Sequence, residues 1–389
     1  MQNFEFSNST KLCFGKNTQA QTGELIKEFN GSRVLIVYGG GSVKKSGLLD
    51  QVKRSLEKAG IYYIEKGGVV PNPRWSFVSE GAKLAKKDNI DFVLGVGGGS
   101  VIDTVKAICM QAVYDGNVWT DFYRKGEVAK NALPCGNILT IAAAGSESSA
   151  NSVITHEDEK FKIGAYSPAI IPKFAILNPE LLFTVPKYQI ACGASDILAH
   201  LMERYFTNEK NVDLTDRLIE ATAKTLINFA PLVIQNPKDY NAQAELMLTG
   251  TIAHNGILDL GRIGDWASHG IEHQLSLFYD IAHGAGLAIV FPAWMKYVYK
   301  HDIARFAQFF QNVFGINYSL TNLDLIVTEG IKRLEAFYTS IGMPTRLSQI
   351  DIKDDKIAEM AQKAVDSKRV GNFVQLSSKD VEKIYKLAL

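Results

Sequence analysis

The chain has 389 residues, 46% of them hydrophobic and 21% charged, a length that predicts two or three domains with sizeable cores. With 42 basic against 41 acidic residues and a net charge of +1, it carries no field of one sign to follow a phosphate backbone, which excludes nucleic acid as a first partner. The start, "MQNFEFSNSTKLCFG", lacks the charged-then-apolar pattern of a signal peptide, and the apolar stretch "AGLAIVFPAWMKYVY" is broken by Pro292 and Lys296 and too short to span a bilayer. Cys13, Cys109, Cys135 and Cys192 form no CxxC pair, so neither a disulfide framework nor a thiolate metal site is expected, and a reducing cytoplasm is.

The first 185 or so residues alternate between strand and helix patterns. "RVLIVYGGG" is a short apolar run ending in glycines, and "LLDQVKRSLEKAG" then spaces Leu49, Val52 and Leu56 three to four apart, a helical stripe ending at Gly60. "IYYIEKGG" reads as a strand and "VSEGAKLAKKDN" as a helix. "DFVLGVGGGS" repeats the strand-to-glycine pattern, "VIDTVKAICMQAV" the helix, and "NILTIAAAGSE" supplies a further strand. This rhythm predicts a parallel sheet with helices on both faces. Pro168, Pro172, Pro179 and Pro186 then mark a connection between domains, and beyond Pro186 the sequence reads as helices alone. The expected fold is α/β plus all-α: a Rossmann-like nucleotide-binding domain over 1–185 and an all-helical metal-binding domain over 186–389.

Two glycine loops, Tyr38–Ser42 and Gly95–Ser100, stand where a strand ends and a helix begins. Backbone N–H groups without side chains can approach a phosphate there, helped by the helix N-terminus, although either loop alone also reads as a tight turn. Two in one sheet favour a dinucleotide. No acidic residue follows "RVLIVY" to grip a ribose 2′-hydroxyl; Gly39, Gly40, Gly41 and Ser42 stand there, with Lys44 and Lys45 beyond, which favours NADP(H) over NAD(H). Asp103 and Lys106 share a helix face, as a surface ion pair would, and Lys162 reads as a surface lysine.

Three of the seven histidines fall in "ASHGIEHQLSLFYDIAHG". His269 and His273 are i and i+4, as are Asp196 and His200 in "GASDILAH", so each pair shares a helix face. His283 lies at a loop-to-helix junction. One carboxylate and three imidazoles make a borderline-hard site suited to Fe2+ or Zn2+. His156, His254 and His301 read as structural or surface groups, with His254 the one that could line a cleft. Trp266 and Phe278 suggest an apolar pocket for small aliphatic aldehydes, or core.

On "YGGGSVKKSGLLDQV", "GGVVPNPR", "GVGGGSVIDTVK", "LTIAAAGSESS", "GASDILAH" and "HGIEHQLSLFYDIAHGAGLAIVFPAW", the chain resembles the iron-containing (group III) alcohol dehydrogenases over essentially its whole length. Within them it resembles the butanol dehydrogenase and NADPH-dependent aldehyde reductase branch. The resemblance implies metal ligands Asp196, His200, His269 and His283, with His273 near the substrate; as a group that titrates near neutrality, His273 is expected to pass the alcohol proton toward solvent. It implies a diphosphate loop at Gly97, Gly98, Gly99 and Ser100, a cofactor-lining segment at Thr140, Gly145, Ser146 and Glu147, and Asp103 and Lys162 beside the cofactor. Gly39 occupies the place where an aspartate goes with NAD preference in the family. "TIAAAGSE" departs from the more threonine-rich "TTAGTGSE" of many members, which bears on hydroxyl contacts around Thr140. The implied architecture is two-domain, of the kind shared with dehydroquinate synthase, with the active site between the domains, in a homodimer. The expected activity is interconversion of small, butanol-like primary alcohols and aldehydes by hydride transfer, with the metal as Lewis acid on the substrate oxygen. The rival readings are a metal- and nicotinamide-dependent lyase or cyclase on the same scaffold, and a non-catalytic cofactor-binding protein.

Overall fold

The computed structural model describes residues 1–317, 321–367 and 370–389. The chain forms two compact units, Ser7–Val185 and Pro186–Leu389, the second including Met1–Phe6.

The first unit holds eight strands: β1 (Lys11–Phe14), β2 (Arg33–Tyr38), β3 (Tyr62–Gly67), β4 (Phe92–Gly97), β5 (Cys135–Leu139), β6 (Asn151–His156), β7 (Phe161–Tyr166) and β8 (Phe174–Leu177). Six make one sheet in the order β1-β8-β5-β4-β2-β3, every neighbouring pair parallel. The helices are α1 (Thr22–Glu28), α2 (Ser42–Lys45), α3 (Leu48–Lys58), α4 (Trp75–Lys87) and α5 (Gly99–Val113). Side chains alternate across a strand, and β2 shows what that does. Val34 and Ile36 pack with Leu25, Leu49, Val52 and Leu56 of α1 and α3, while Leu35 and Val37 pack with Val78, Val105 and Ile108 of α4 and α5. Both faces are covered, which is why the central strands read as unbroken apolar runs.

Four strands escape the sequence pattern. β8 is four residues set between Pro172 and Pro179, so the proline-rich stretch lies within this unit and only Pro186 stands at the boundary. β1 buries only Cys13. β6 and β7 form a separate antiparallel hairpin. The expected strand over "NILTIAAAGSE" ends at Leu139, and the residues after it form a loop with Gly145 left-handed at φ 62°.

The strand order places the glycine loops. β2 connects outward to β3, β4 connects the other way to β5, and β2 and β4 are neighbours. A parallel sheet opens a crevice at the carboxyl ends of such a strand pair. The loops Tyr38–Ser42 and Gly97–Ser100 flank that point.

The second unit is built on α6 (Lys187–Tyr205), α7 (Asp213–Gln235), α8 (Tyr240–His254), α9 (Ala267–Tyr279), α10 (His283–Val298), α11 (Ile303–Phe314), α12 (Leu323–Ser340), α13 (Ile357–Ser367) and α14 (Ser378–Leu387). Side chains of Asp239, Asn322 and Ser377 cap the first turns of α8, α12 and α14. In its aromatic core Phe206 stacks on Phe306, and Trp294 and Phe373 pack against Phe206 at tilted angles. Residues 1–6 belong here and not with the α/β unit: the Met1 ammonium donates to the Lys210 carbonyl at 2.7 Å and the Gln2 amide to that of Gly261 at 2.9 Å. Among the described residues no helix is long and apolar enough to cross a membrane.

Candidate functional site

On α6 the i, i+4 spacing sets Asp196 Oδ1 3.6 Å from His200 Nδ1. His269 in the first turn of α9 brings Nε2 to 3.8 Å from the same oxygen, and His283, first residue of α10, brings Nε2 to 3.9 Å. Three of these atoms, Asp196 Oδ1, His200 Nδ1 and His269 Nε2, are buried with no hydrogen-bond partner. Orphaned buried polar atoms gathered at one place are costly unless something binds there. The three separations from Asp196 Oδ1 approach the edge of a tetrahedron drawn by ligands about 2.2 Å from a central ion. Asp196, His200 and His269, with ligand atoms all within 4.8 Å of one another, fit a divalent cation, and His283 stands beside them at 3.9 Å from Asp196.

His273 does not join that group. Its ring lies 5.6 Å from that of His283, and it is partly exposed where Asp196, His200 and His269 are buried. His254, expected as a structural group, is buried with its ring 4.3 Å from that of His200, and Arg204 Nη2 stands 3.1 Å from its Nδ1. His156 packs on Trp75 and Trp119, and His301 meets Asn208. Of the two aromatic candidates, Trp266 sits among the imidazoles, its ring 5.3 Å from His269 and 6.1 Å from His200, whereas Phe278 lies under the Lys356 ammonium. Trp266 caps α9 with φ 65°, a left-handed conformation that is an outlier for so bulky a residue.

Two carboxylates absent from the sequence reading orient two of these imidazoles. Glu203 Oε1 accepts from the His269 amide and lies 2.9 Å from His269 Nδ1, while its Oε2 accepts from the Trp266 amide at 2.5 Å. Glu272 Oε2 takes the Nδ1 side of His283, and its Oε1 accepts from Ser276 Oγ at 2.5 Å. A carboxylate on Nδ1 turns Nε2 toward the ion and raises the ring's basicity. Close approach explains two glycines of "HGAG": a Cβ on Gly284 would strike the Cys192 carbonyl, and one on Gly286 would lie 2.6 Å from Glu272 Oε1.

The electrostatics follow from burial among these groups. Burial pushes His200 well below the ordinary imidazole range, with His254, His269 and Arg204 adding to it. Burial also opposes charge on His269, but the nearby Asp196 carboxylate and the hydrogen-bonded Glu203 outweigh it and lift that ring to about 9. Burial beside Glu203 raises Asp265 to about 7, against the backbone amides of Phe373, Ala267 and Asn372 that it accepts from.

In the α/β unit the two glycine loops differ. A Cβ on Gly97 would lie 2.5 Å from a Val101 methyl, one on Gly98 would strike Ile141, and one on Gly99 would lie 3.1 Å from Ala144 Cβ. That loop is packed against the segment after β5, whose Thr140 amide donates to the Gly97 carbonyl at 3.1 Å. Gly40 and Gly41 have open space where a Cβ would be, and Gly39 meets only ordinary contacts. Gly40 is forced by neither crowding nor a positive φ. Small residues beside open space fit a phosphate-bearing ligand, with Ser42, Lys44 and Lys45 exposed next to it.

Two lysines correct the sequence reading. Lys106 is not in a surface ion pair: it is fully buried and donates to oxygens of Ser146, Ser149 and Asn151. Lys162, on β7, is buried and donates to Asn72 Oδ1 at 3.0 Å. Asp103 accepts from Ser146 Oγ at 2.5 Å, so two residues expected beside the cofactor are bonded to each other.

Residues 9–179 match the family described as iron-containing alcohol dehydrogenase, and residues 190–389 the C-terminal part of the Fe-containing alcohol dehydrogenase family. The chain is 45% identical over 389 residues to the probable NADH-dependent butanol dehydrogenase 1 of Bacillus subtilis (strain 168), covering 100% of each. It is 35% identical over 365 residues to the NADPH-dependent aldehyde reductase YqhD of Escherichia coli (strain K12), covering 93% of each. The crystal structure of NADH-dependent butanol dehydrogenase A from Thermotoga maritima superposes with a TM-score of 0.95 at 41% identity, over 100% of this chain and 99% of that one. With family matches across both units, and a carboxylate and three imidazoles converging in the helical one, the chain belongs to the iron-containing alcohol dehydrogenase family.

Proposed function

We propose that this enzyme interconverts butanol-sized primary alcohols and their aldehydes, that it prefers NADP(H) to NAD(H), and that it works in the cytoplasm as a homodimer. The observation carrying the activity is the trio of buried, unpartnered atoms Asp196 Oδ1, His200 Nδ1 and His269 Nε2 facing one point, with His283 Nε2 beside them. A divalent ion held by these four residues supplies Lewis acidity to the substrate oxygen. The nicotinamide supplies the hydride chemistry at C4.

The chain's own residues do the rest. Glu203 and Glu272 fix which nitrogen of His269 and His283 turns inward. The Trp266 ring, set against His200 and His269, presents an apolar wall suited to an aliphatic chain. His273, partly exposed next to His283, is the group we assign to move the alcohol proton toward solvent. Gly97, Gly98, Gly99 and Ser100 offer the diphosphate the N-terminus of a 15-residue helix. Asp103, Thr140, Ser146 and Lys162 are assigned to the nucleotide site, the first three around that helix and the loop packed on it.

The names of the relatives carry both NADH and NADPH, so membership of the family selects neither coenzyme. The glycine loop after β2 supports NADP(H): it has no carboxylate to hold a 2′-hydroxyl and has open space beside exposed lysines.

The test is an assay with butanal after loading with Fe2+ or Zn2+, comparing NADPH with NADH. Net consumption of NADPH, lost on chelation, is expected; a lyase or cyclase that returns its hydride shows none. Asp196→Ala and His269→Ala should lose metal and lower turnover on the order of a thousandfold while still binding NADPH. Full activity in either variant after chelation overturns the metal assignment. Sedimentation at the mass of two chains checks the dimer.

A further inference from the structure

We infer that Lys106 is a positioning residue for the coenzyme: its buried ammonium, linked through Ser146 to Asp103, latches the segment 146–153 onto α5 beside the second glycine loop. The inference rests on the reading that the glycine loops bind a nicotinamide nucleotide.

A lysine is almost never fully buried unless it is paired. Lys106 has no exposed surface, and five oxygens surround its Nζ: the carbonyls of Ser146, Ser149 and Asn151 at 2.6, 2.9 and 2.8 Å, and the hydroxyls of Ser146 and Ser149 at 2.9 and 3.2 Å. An ammonium has three protons to share. Five acceptors around it resemble the coordination of a bound cation more than an ion pair. The acceptors come from a segment that closes poorly on itself, its turn bonds Ser148 N to Gly145 O and Ser149 N to Ser146 O both stretched to 3.4 Å. Its buried carbonyls need donors, and the ammonium supplies them.

Asp103, one turn earlier on α5, grips the same segment from its carboxylate. Oδ1 accepts from Ser146 Oγ at 2.5 Å, Oδ2 accepts from the Val153 amide at 2.9 Å, and the Asp103 carbonyl accepts from Ser152 Oγ at 2.8 Å. Ser146 Oγ therefore donates to Asp103 and accepts from Lys106, closing a small circuit. The segment just before it is packed on the glycine loop, with Ala144 against Gly99 and Thr140 bonded to Gly97. Being fully buried, Lys106 touches no bound coenzyme; it acts by fixing the wall the coenzyme meets. Burial draws its ammonium down to about 8, against Asp103, Cys135 and Glu147, which leaves it charged at neutral pH.

Lys106→Met keeps the length and removes the charge. For this variant, loaded with metal, the NADPH dissociation constant and KM should rise about tenfold or more, with kcat changed no more than about threefold and metal content unchanged. A loss of stability alone lowers the active fraction, hence kcat, and leaves the KM of the surviving enzyme where it was. Wild-type values of KM and dissociation constant in folded Lys106→Met overturn the inference. If Lys106→Met does not fold, Ser149→Ala removes a single acceptor: faster hydrogen exchange across 146–153 and about a twofold rise in the NADPH dissociation constant support the latch, and no change in either overturns it. Wild-type enzyme that binds neither NADPH nor NADH overturns the nucleotide reading itself, an outcome distinct from tight binding by both proteins.

Discussion

Glu203 Oε1 stands 2.9 Å from His269 Nδ1, and that contact decides which nitrogen of His269 faces Asp196. The carboxylate cannot drift, because it also accepts the amides of His269 and Trp266. A carboxylate demands a proton on Nδ1 and leaves the Nε2 lone pair for the ion. Glu203→Gln keeps the shape but offers oxygen or NH2 alike. Metal affinity should fall on the order of 10- to 100-fold, with helix content unchanged. Competition dialysis against a graded chelator measures it; affinity equal to wild type would show that the pair is ornamental.

His273 and His283 rings lie 5.6 Å apart, and His283 brings its Nε2 to 3.9 Å from Asp196 Oδ1. His273→Ala should keep its metal and lose about a hundredfold in alcohol oxidation, the usual worth of a positioned acid or base. The variant's pH–rate profile should lose one limb. An unchanged rate and profile would remove His273 from the reaction.

Much of this site was legible in the sequence, because helical spacing is local. Asp196 and His200 could be paired by counting, and the glycine loops by their place after apolar runs. The same counting treats His269 and His273 alike, and tertiary contacts separate them: Glu203, 66 residues from His269, holds its Nδ1, and Asp196 lies 3.8 Å from its Nε2. Glu203 was still within reach: it falls seven residues after Asp196 and three after His200, on one face of α6. Lys106 was harder. An i, i+3 pair with Asp103 looks the same on a surface as in a core. The available clue was its place on α5: Ile102, Cys109 and Met110 flank it, while Ser100, Thr104 and Gln111 gather on another side of the helix. β8 stayed hidden because four residues between prolines carry no period.

Gly39 sets the coenzyme prediction. A side chain there meets the Val69 carbonyl at 3.4 Å and a Val101 methyl at 4.0 Å, so Gly39→Asp fits without strain. Its carboxylate would repel a 2′-phosphate and accept from a 2′-hydroxyl. The ratio of kcat/KM for NADPH over NADH should fall about 10- to 100-fold, which is roughly 1.4 to 2.8 kcal/mol of discrimination. The check is initial rates with each coenzyme at fixed butanal. A ratio that does not move would place the 2′-position elsewhere.

Lys106 gives the pH prediction, and two readouts should move in opposite senses. Burial, opposed by Asp103, Cys135 and Glu147, lowers its pKa from 10.5 to about 8 in the folded chain. Between those values the unfolded chain still holds a proton that the folded chain has lost. Stability conferred at this site therefore rises with pH across that window, by at most about 3 kcal/mol, when wild type is compared with Lys106→Met. The latch behaves the other way. Above about 8 a neutral amine has two N–H groups for five oxygens, so the NADPH KM of the wild type should climb toward that of Lys106→Met. Below that pH the ammonium is intact and the two enzymes should differ most. Thermal unfolding and KM, each followed from neutral to alkaline pH in both proteins, test this. A wild-type KM that stays flat relative to the variant's across the window would mean the proton on Lys106 is irrelevant to coenzyme binding.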